Sequence, residues 1–238
     1  MEPQATATNI IEPIPAAWPG AFGLYEYSKQ AILTNWGTIL WVLLVAFVIS
    51  LVISGLGGQD VHSGQYMISE ILSILVGAYA SSVTAIVLLK SAKREKIGFG
   101  DALSKATHYY WAMLAATLLM SILLGASMLL LIIPFFFVVP RLTLTPYFLI
   151  DNDLGPIEAL KASWNETKGH SGKVWGIVGA TLVFALLMLT IIGIPFALYF
   201  IFMYTAATPL LYYWIRANKP AVSNATVPVT PVAPMQQA

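Results

Sequence analysis

The chain has 238 residues, 58% of them hydrophobic and 10% charged, with a mean hydropathy of +0.77, whereas an ordinary soluble domain carries about 25% charged residues. So little polar surface cannot cover such a core, and a formal net charge of +1 gives none of the bulk attraction that nucleic-acid binders use. The absence of cysteine removes disulfides, thiolate zinc sites and cysteine nucleophiles. The expected class is all-α: a polytopic transmembrane helix bundle with short amphipathic interfacial helices.

Residues 1–20, "MEPQATATNIIEPIPAAWPG", carry acidic residues and prolines but no Lys or Arg, the reverse of a secretory leader, and are expected to be a disordered tail. Six spans are expected in residues 21–218: Trp36 to Leu56, Met67 to Leu89, Tyr110 to Ile133, Pro134 to Ile150, Val174 to Ile192 and Pro195 to Ile215. Residues 219–238, rich in Pro, Val, Thr and Ala, read as a second disordered tail.

With these spans, Lys29, Lys90, Lys93, Arg94, Lys96, Lys105, Lys161, Lys168, Lys173, Arg216 and Lys219 all fall on one side. The loop "SGLGGQDVHSGQY" and the tight turns near Pro134 and Gly193 carry no Lys or Arg. The positive-inside rule then places both termini in the cytoplasm of a cell whose plasma membrane holds the protein. Only Arg141 is left within a span.

Three cytoplasmic segments look alike: "FGLYEYSKQA" from Phe22, "FGDALSKA" from Phe99 and "LGPIEALKA" from Leu154. Each precedes an odd-numbered span with a tryptophan (Trp36, Trp111 or Trp175) near its start, suggesting a threefold repeat of surface helix plus hairpin over residues 21–65, 99–150 and 154–218. In the third copy Asp153 is a candidate cap, Pro156 suits a first helical turn, and Ile157, Leu160 and Trp164 form an apolar stripe. Small residues four apart (Gly77, Ser81 and Ala85; Ser121 and Gly125; Gly172, Gly176 and Ala180) are candidate helix contacts, within the bundle or between copies.

The fourth span, "PFFFVVPRLTLTPYFLI", is the anomaly. Pro134 can start a helix without loss, but Pro140 and Pro146 each remove a backbone bond that lipid cannot replace, so a kinked or broken helix is expected. Arg141, roughly 10 Å from the outer end at 1.5 Å per residue, needs a partner. Glu70 is the first candidate and Asp60 the second; snorkelling, or bonding to freed carbonyls, are the structural alternatives. At the inner exit Asp151 and Asp153 lie near Lys161 and Lys168, an acidic pair suited to capping, cation binding or acid–base work.

The segment "IPFFFVVPRLTLTPYFLIDNDLGPIEALKASWNETKGHSGKVWGI" resembles a group of uncharacterised bacterial six-helix membrane proteins that includes the membrane domain of some glycerophosphodiester phosphodiesterases. The likeness rests on Pro134, Arg141, Asp151, Leu154 to Trp164, Thr167 to Gly169 and Trp175; elsewhere it is one of hydropathy and helix count. It implies an architecture and a shared motif of Arg141, Asp151, Gly155, Pro156, Ser163, Trp164 and Gly169. It implies no active site, since catalysis in such fusions belongs to a separate soluble barrel.

His62, His108 and His170 lie apart, without metal-ligand spacing, and neither "SGLGG" nor "GHSGK" makes a nucleotide loop. No catalytic, cofactor-binding or metal residue is assigned. The leading expectation is a non-enzymatic membrane scaffold that engages lipids, a second copy of itself or another membrane protein. Next is a small transporter or channel using the broken fourth span and Arg141. The third is a lipid-modifying enzyme working through Asp151 and Asp153.

Overall fold

A computed structural model describes residues 17–56, 63–130, 132–186, 188 and 193–218. Residues 1–16 and 219–238 of the two expected tails, and Asp60 and His62 of the loop between α2 and α3, lie outside the described residues, while residues 17–20 of the first expected tail are described and place Trp18 against Trp214. Ten helices follow in order: α1 Leu24–Thr34, α2 Trp36–Leu56, α3 Gly64–Ala92, α4 Phe99–Leu130, α5 Ile132–Leu142, α6 Thr145–Asp151, α7 Pro156–Glu166, α8 Ser171–Leu186, α9 Gly193–Tyr204 and α10 Ala207–Ala217. No strand occurs among the described residues.

Four helical stretches are long and apolar enough to cross a membrane: α2, α3, α4 to Leu129, and Gly193–Ala217, which is α9 and α10 taken together across a two-residue turn. The other apolar segments are shorter. The expected fourth span is two pieces, the 11-residue α5 and the 7-residue α6, and the expected fifth is represented by the 16-residue α8. α2 is apolar on every side, with Trp41, Phe47 and Val52 each more than half exposed, as a helix facing lipid should be.

Packing concentrates at one end. The buried residues of α3 all lie from Ala78 onward, whereas Met67, Ile68 and Ile71 near its start are exposed. α4 buries Ala102, Ala106, Met113 and Ala116, the last of them just past its midpoint, and exposes Ile122 and Leu129 beyond. The main core joins Leu89, Met113, Leu144, Phe148, Leu149, Leu211 and Tyr212. The expected small-residue stripes are contacts in part: Ala85 and Ala180 are buried and Gly176 is closely approached by Ala21, whereas a Cβ on Gly77, Gly125 or Gly172 would meet nothing within 4 Å. On α3 the buried small residues are Ala78, Ser82 and Ala85.

Three polar clasps order the packed end. Asn35, at the joint between α1 and α2 and 5% exposed, donates to Ser91 Oγ (3.0 Å) and the Glu95 carbonyl (2.7 Å) and accepts from the Ile97 amide (2.9 Å). This one side chain fixes the α3–α4 loop against α1. Lys173 lies over the rings of Trp214 (4.8 Å) and Trp18 (5.9 Å), which themselves meet edge to face. The third clasp is Asp151.

Candidate functional site

Asp151 is the last residue of α6, and its side chain is only 11% exposed. Lys93 Nζ donates to its Oδ1 (2.7 Å), Arg216 Nη1 and the Tyr212 hydroxyl donate to its Oδ2 (2.6 and 2.8 Å), and the Tyr213 hydroxyl donates to Oδ1 (3.2 Å). Both carboxylate oxygens are thus doubly bonded, and the ends of α3, α6 and α10 are drawn to one point. Burial works to raise the Asp151 pKa, but the bonds from Lys93 and Tyr212 and the charges of Lys93 and Arg216 outweigh it and hold the carboxyl below its ordinary value. The expected neighbours Lys161 and Lys168 are not its partners.

Asp153 does not cap α7. It adopts a left-handed backbone (φ 50°), and the Leu154 amide bonds back to the Leu149 carbonyl (3.1 Å), the pattern that closes a helix at its C-terminus. Asp153 therefore ends α6, and the cap position of α7 is Gly155, with no side-chain bond and with Pro156 in the first turn as expected. Asp153 Oδ1 approaches His108 Nε2 at 3.7 Å, away from the Asp151 carboxylate's partners.

The break in the fourth segment is built from named bonds. Pro140 lies inside α5 and has no N–H for the Phe136 carbonyl four residues earlier; the Trp175 indole N–H on α8 supplies it at 3.0 Å. Pro146 stands at the start of α6, after the turn at Thr143 and Leu144, where no helical donor is needed. Ser163 Oγ on α7 donates to the Arg141 carbonyl (2.6 Å), and Thr143 Oγ1 donates to the Val139 carbonyl (2.7 Å).

Arg141 does not pair with Glu70. Its Nη1 donates to the Trp164 carbonyl (3.2 Å), and its guanidinium lies 5.8 Å from the centre of the Trp164 ring, while Glu70 is exposed near the start of α3. The cation is spent on a carbonyl in the last turn of α7, not on one freed by the prolines of its own segment. The α7 stripe is also revised: Ala159, Leu160 and Ser163 are buried, whereas Ile157 and Trp164 are exposed. Gly169 has φ +79°, a left-handed turn that glycine enters without strain.

The break between α9 and α10 uses the same device. Ser28 on α1 donates to the Met203 carbonyl (2.6 Å), and Thr205 Oγ1 donates to the Ile201 carbonyl (3.1 Å). In both places a serine from a separate short helix holds a carbonyl two residues before a threonine that bonds four residues back. In the second candidate repeat the surface segment has no separate helix: residues 99–106 are continuous with α4.

Beside Asp151 lies a half-open cavity of about 340 Å³ between α3, α4 and α6. Its walls carry Lys90, Lys93, Lys105 and His108, with Ile86, Leu89 and Ile150 among its apolar lining. No group of three or more His, Asp or Glu placed to hold a metal occurs among the described residues. Lys93, Arg216, Tyr212 and Tyr213 were not singled out as a site in the sequence; the adjacent tyrosines one turn before Arg216 are the signal that could have found them. Comparisons with protein-family models, curated proteins and solved structures find no match to the chain.

Proposed function

We propose that this is a six-pass plasma-membrane protein with both termini in the cytoplasm, and that its role is non-enzymatic, holding lipids or a membrane partner through the polar end of the bundle. The observation that carries the reading is the Asp151 clasp. Lys93 immediately follows α3, and α4 departs from the same end for 32 residues, or about 48 Å at 1.5 Å per residue. Asp151 lies back at Lys93, which supports a reading in which residues 132–151 retrace that path. α8 leaves from the Lys173 cluster, and Arg216 returns to Asp151, which supports two further passes in the same reading.

The clasp also speaks against acid–base work. A carboxylate already accepting from two cations and two phenols has no lone pair suited to a substrate proton, and its lowered pKa makes it a weak base. The transporter reading needs Arg141 to line a path, and its engagement with Trp164 favours the pinning role.

Native mass spectrometry of the protein released from nanodiscs tests the proposal. Bound lipid at fixed stoichiometry, on a monomer or a defined oligomer, is the expected result. A monomer holding a discrete non-lipid anion that is lost in Arg141→Ala would replace it with the transporter reading.

A further inference from the structure

We infer that the cavity between α3, α4 and α6 is a specific seat for the phosphate of an anionic membrane lipid, with Lys105 as the residue that selects for charge. The inference rests on the lipid-interacting reading above and names the lipid class and the place.

Charge comes first. Lys90 is paired with Glu95, and Lys93 with Asp151, but Lys105 has no ion-pair partner within 4 Å among the described residues. The cavity walls present three lysines and one carboxylate, and Arg216 shares that carboxylate. A surplus of positive charge converges on a concave space, and an anion of two or more oxygens is the ligand that relieves it.

Position selects a lipid over a soluble anion. α4 exceeds the roughly 30 Å of a hydrocarbon core by more than three turns, and Lys105 lies in its second turn, just before Tyr109, Tyr110 and Trp111. Aromatic residues of this kind mark the headgroup level. Ile86 and Leu89, nearly fully buried, form the cavity's apolar wall on the side where α3 runs into its long hydrophobic stretch. A phosphate at Lys105 can therefore keep its glycerol against that wall and its acyl chains in the bilayer. Basic pockets between membrane helices on the cytoplasmic side recognise lipid headgroups by this chemistry.

The volume fits. About 340 Å³ is at the lower end of small-ligand sites and suits a headgroup rather than a whole lipid.

The test uses the full chain in phosphatidylcholine nanodiscs containing a minor fraction of phosphatidic acid or phosphatidylglycerol, read by native mass spectrometry. Wild type, Lys105→Gln and the exposed control Lys161→Gln are compared. The expected result is one tightly retained anionic lipid per chain, weakened about five- to tenfold by Lys105→Gln and unchanged by Lys161→Gln. Equal retention in both variants would overturn the seat while leaving the broader lipid-interacting reading standing; retention of no lipid by wild type would overturn both. Displacement of the lipid by millimolar inorganic phosphate would assign the cavity to a soluble anion and overturn the lipid assignment.

Discussion

Trp175 on α8 donates its indole N–H to the Phe136 carbonyl on α5 at 3.0 Å, supplying the donor that Pro140 lacks. A proline inside a membrane segment leaves an acceptor that lipid cannot satisfy, and here a neighbouring helix satisfies it. Trp175→Phe should lower stability by about 1 to 3 kcal/mol, the penalty of an acceptor left without its partner. Pro140→Ala restores the helical N–H, so adding it should recover most of that loss. Denaturant unfolding in detergent of the two single variants and the double variant gives the coupling directly.

The Asp151 clasp predicts an acid sensitivity with a definite sign. The folded carboxyl binds its proton less tightly than the unfolded one, so its contribution is fully present above the unfolded value near about 4 and is lost as pH falls through the lower folded value. Asp151→Asn should reduce the melting temperature at neutral pH, and the gap between variant and wild type should close below about pH 4. A gap that stays constant over that range would remove the electrostatic account.

Asn35 makes three bonds from a nearly buried position, and an apolar replacement leaves at least the Ile97 amide and the Glu95 carbonyl without this partner. Asn35→Leu should cost at least about 2 kcal/mol. Proteolysis should then open the chain first in the loop between α3 and α4, which fragment mapping would reveal.

Gly169 and Gly172 lie three residues apart but should respond oppositely to alanine. At Gly169 the left-handed backbone makes Gly169→Ala destabilising by about 1 to 2 kcal/mol. Gly172 is in the first turn of α8 with open space around its Cα, so Gly172→Ala should be neutral or stabilising by up to about 1 kcal/mol. Thermal melts of the two variants settle the comparison.

What the sequence revealed follows from the range of the interactions. α2 matches its apolar run end for end, because a helix in lipid is dictated by local composition, and the break near Pro146 is legible because proline acts on its own backbone. The partner of Arg141 was not legible: complementary charge pointed to Glu70, but the acceptor is a backbone carbonyl, which every residue has and no sequence marks. Asp151 stood out, yet its cations lie 58 and 65 residues away, and no periodicity announces a contact of that span. The small-residue stripes were legible only in part. Ala85 and Ala180 are buried, but the packed side of α3 also bears Ala78 and Ser82, which a spacing of four from Gly77 does not select.

Because the chain has no cysteine, single-cysteine variants can be labelled from either side of the membrane without background. Asn165→Cys, at the end of α7, distinguishes the topologies most sharply. Six passes put it on the same side as Glu95→Cys and opposite Gly64→Cys. If only the four long helical stretches crossed, residue 165 would lie on the Gly64 side. Labelling of Asn165→Cys together with Glu95→Cys, by a reagent restricted to the cytoplasmic face of inverted vesicles, is the expected result. Labelling of Asn165→Cys together with Gly64→Cys would contradict the six-pass account and, with it, the placing of the Asp151 clasp at the inner surface.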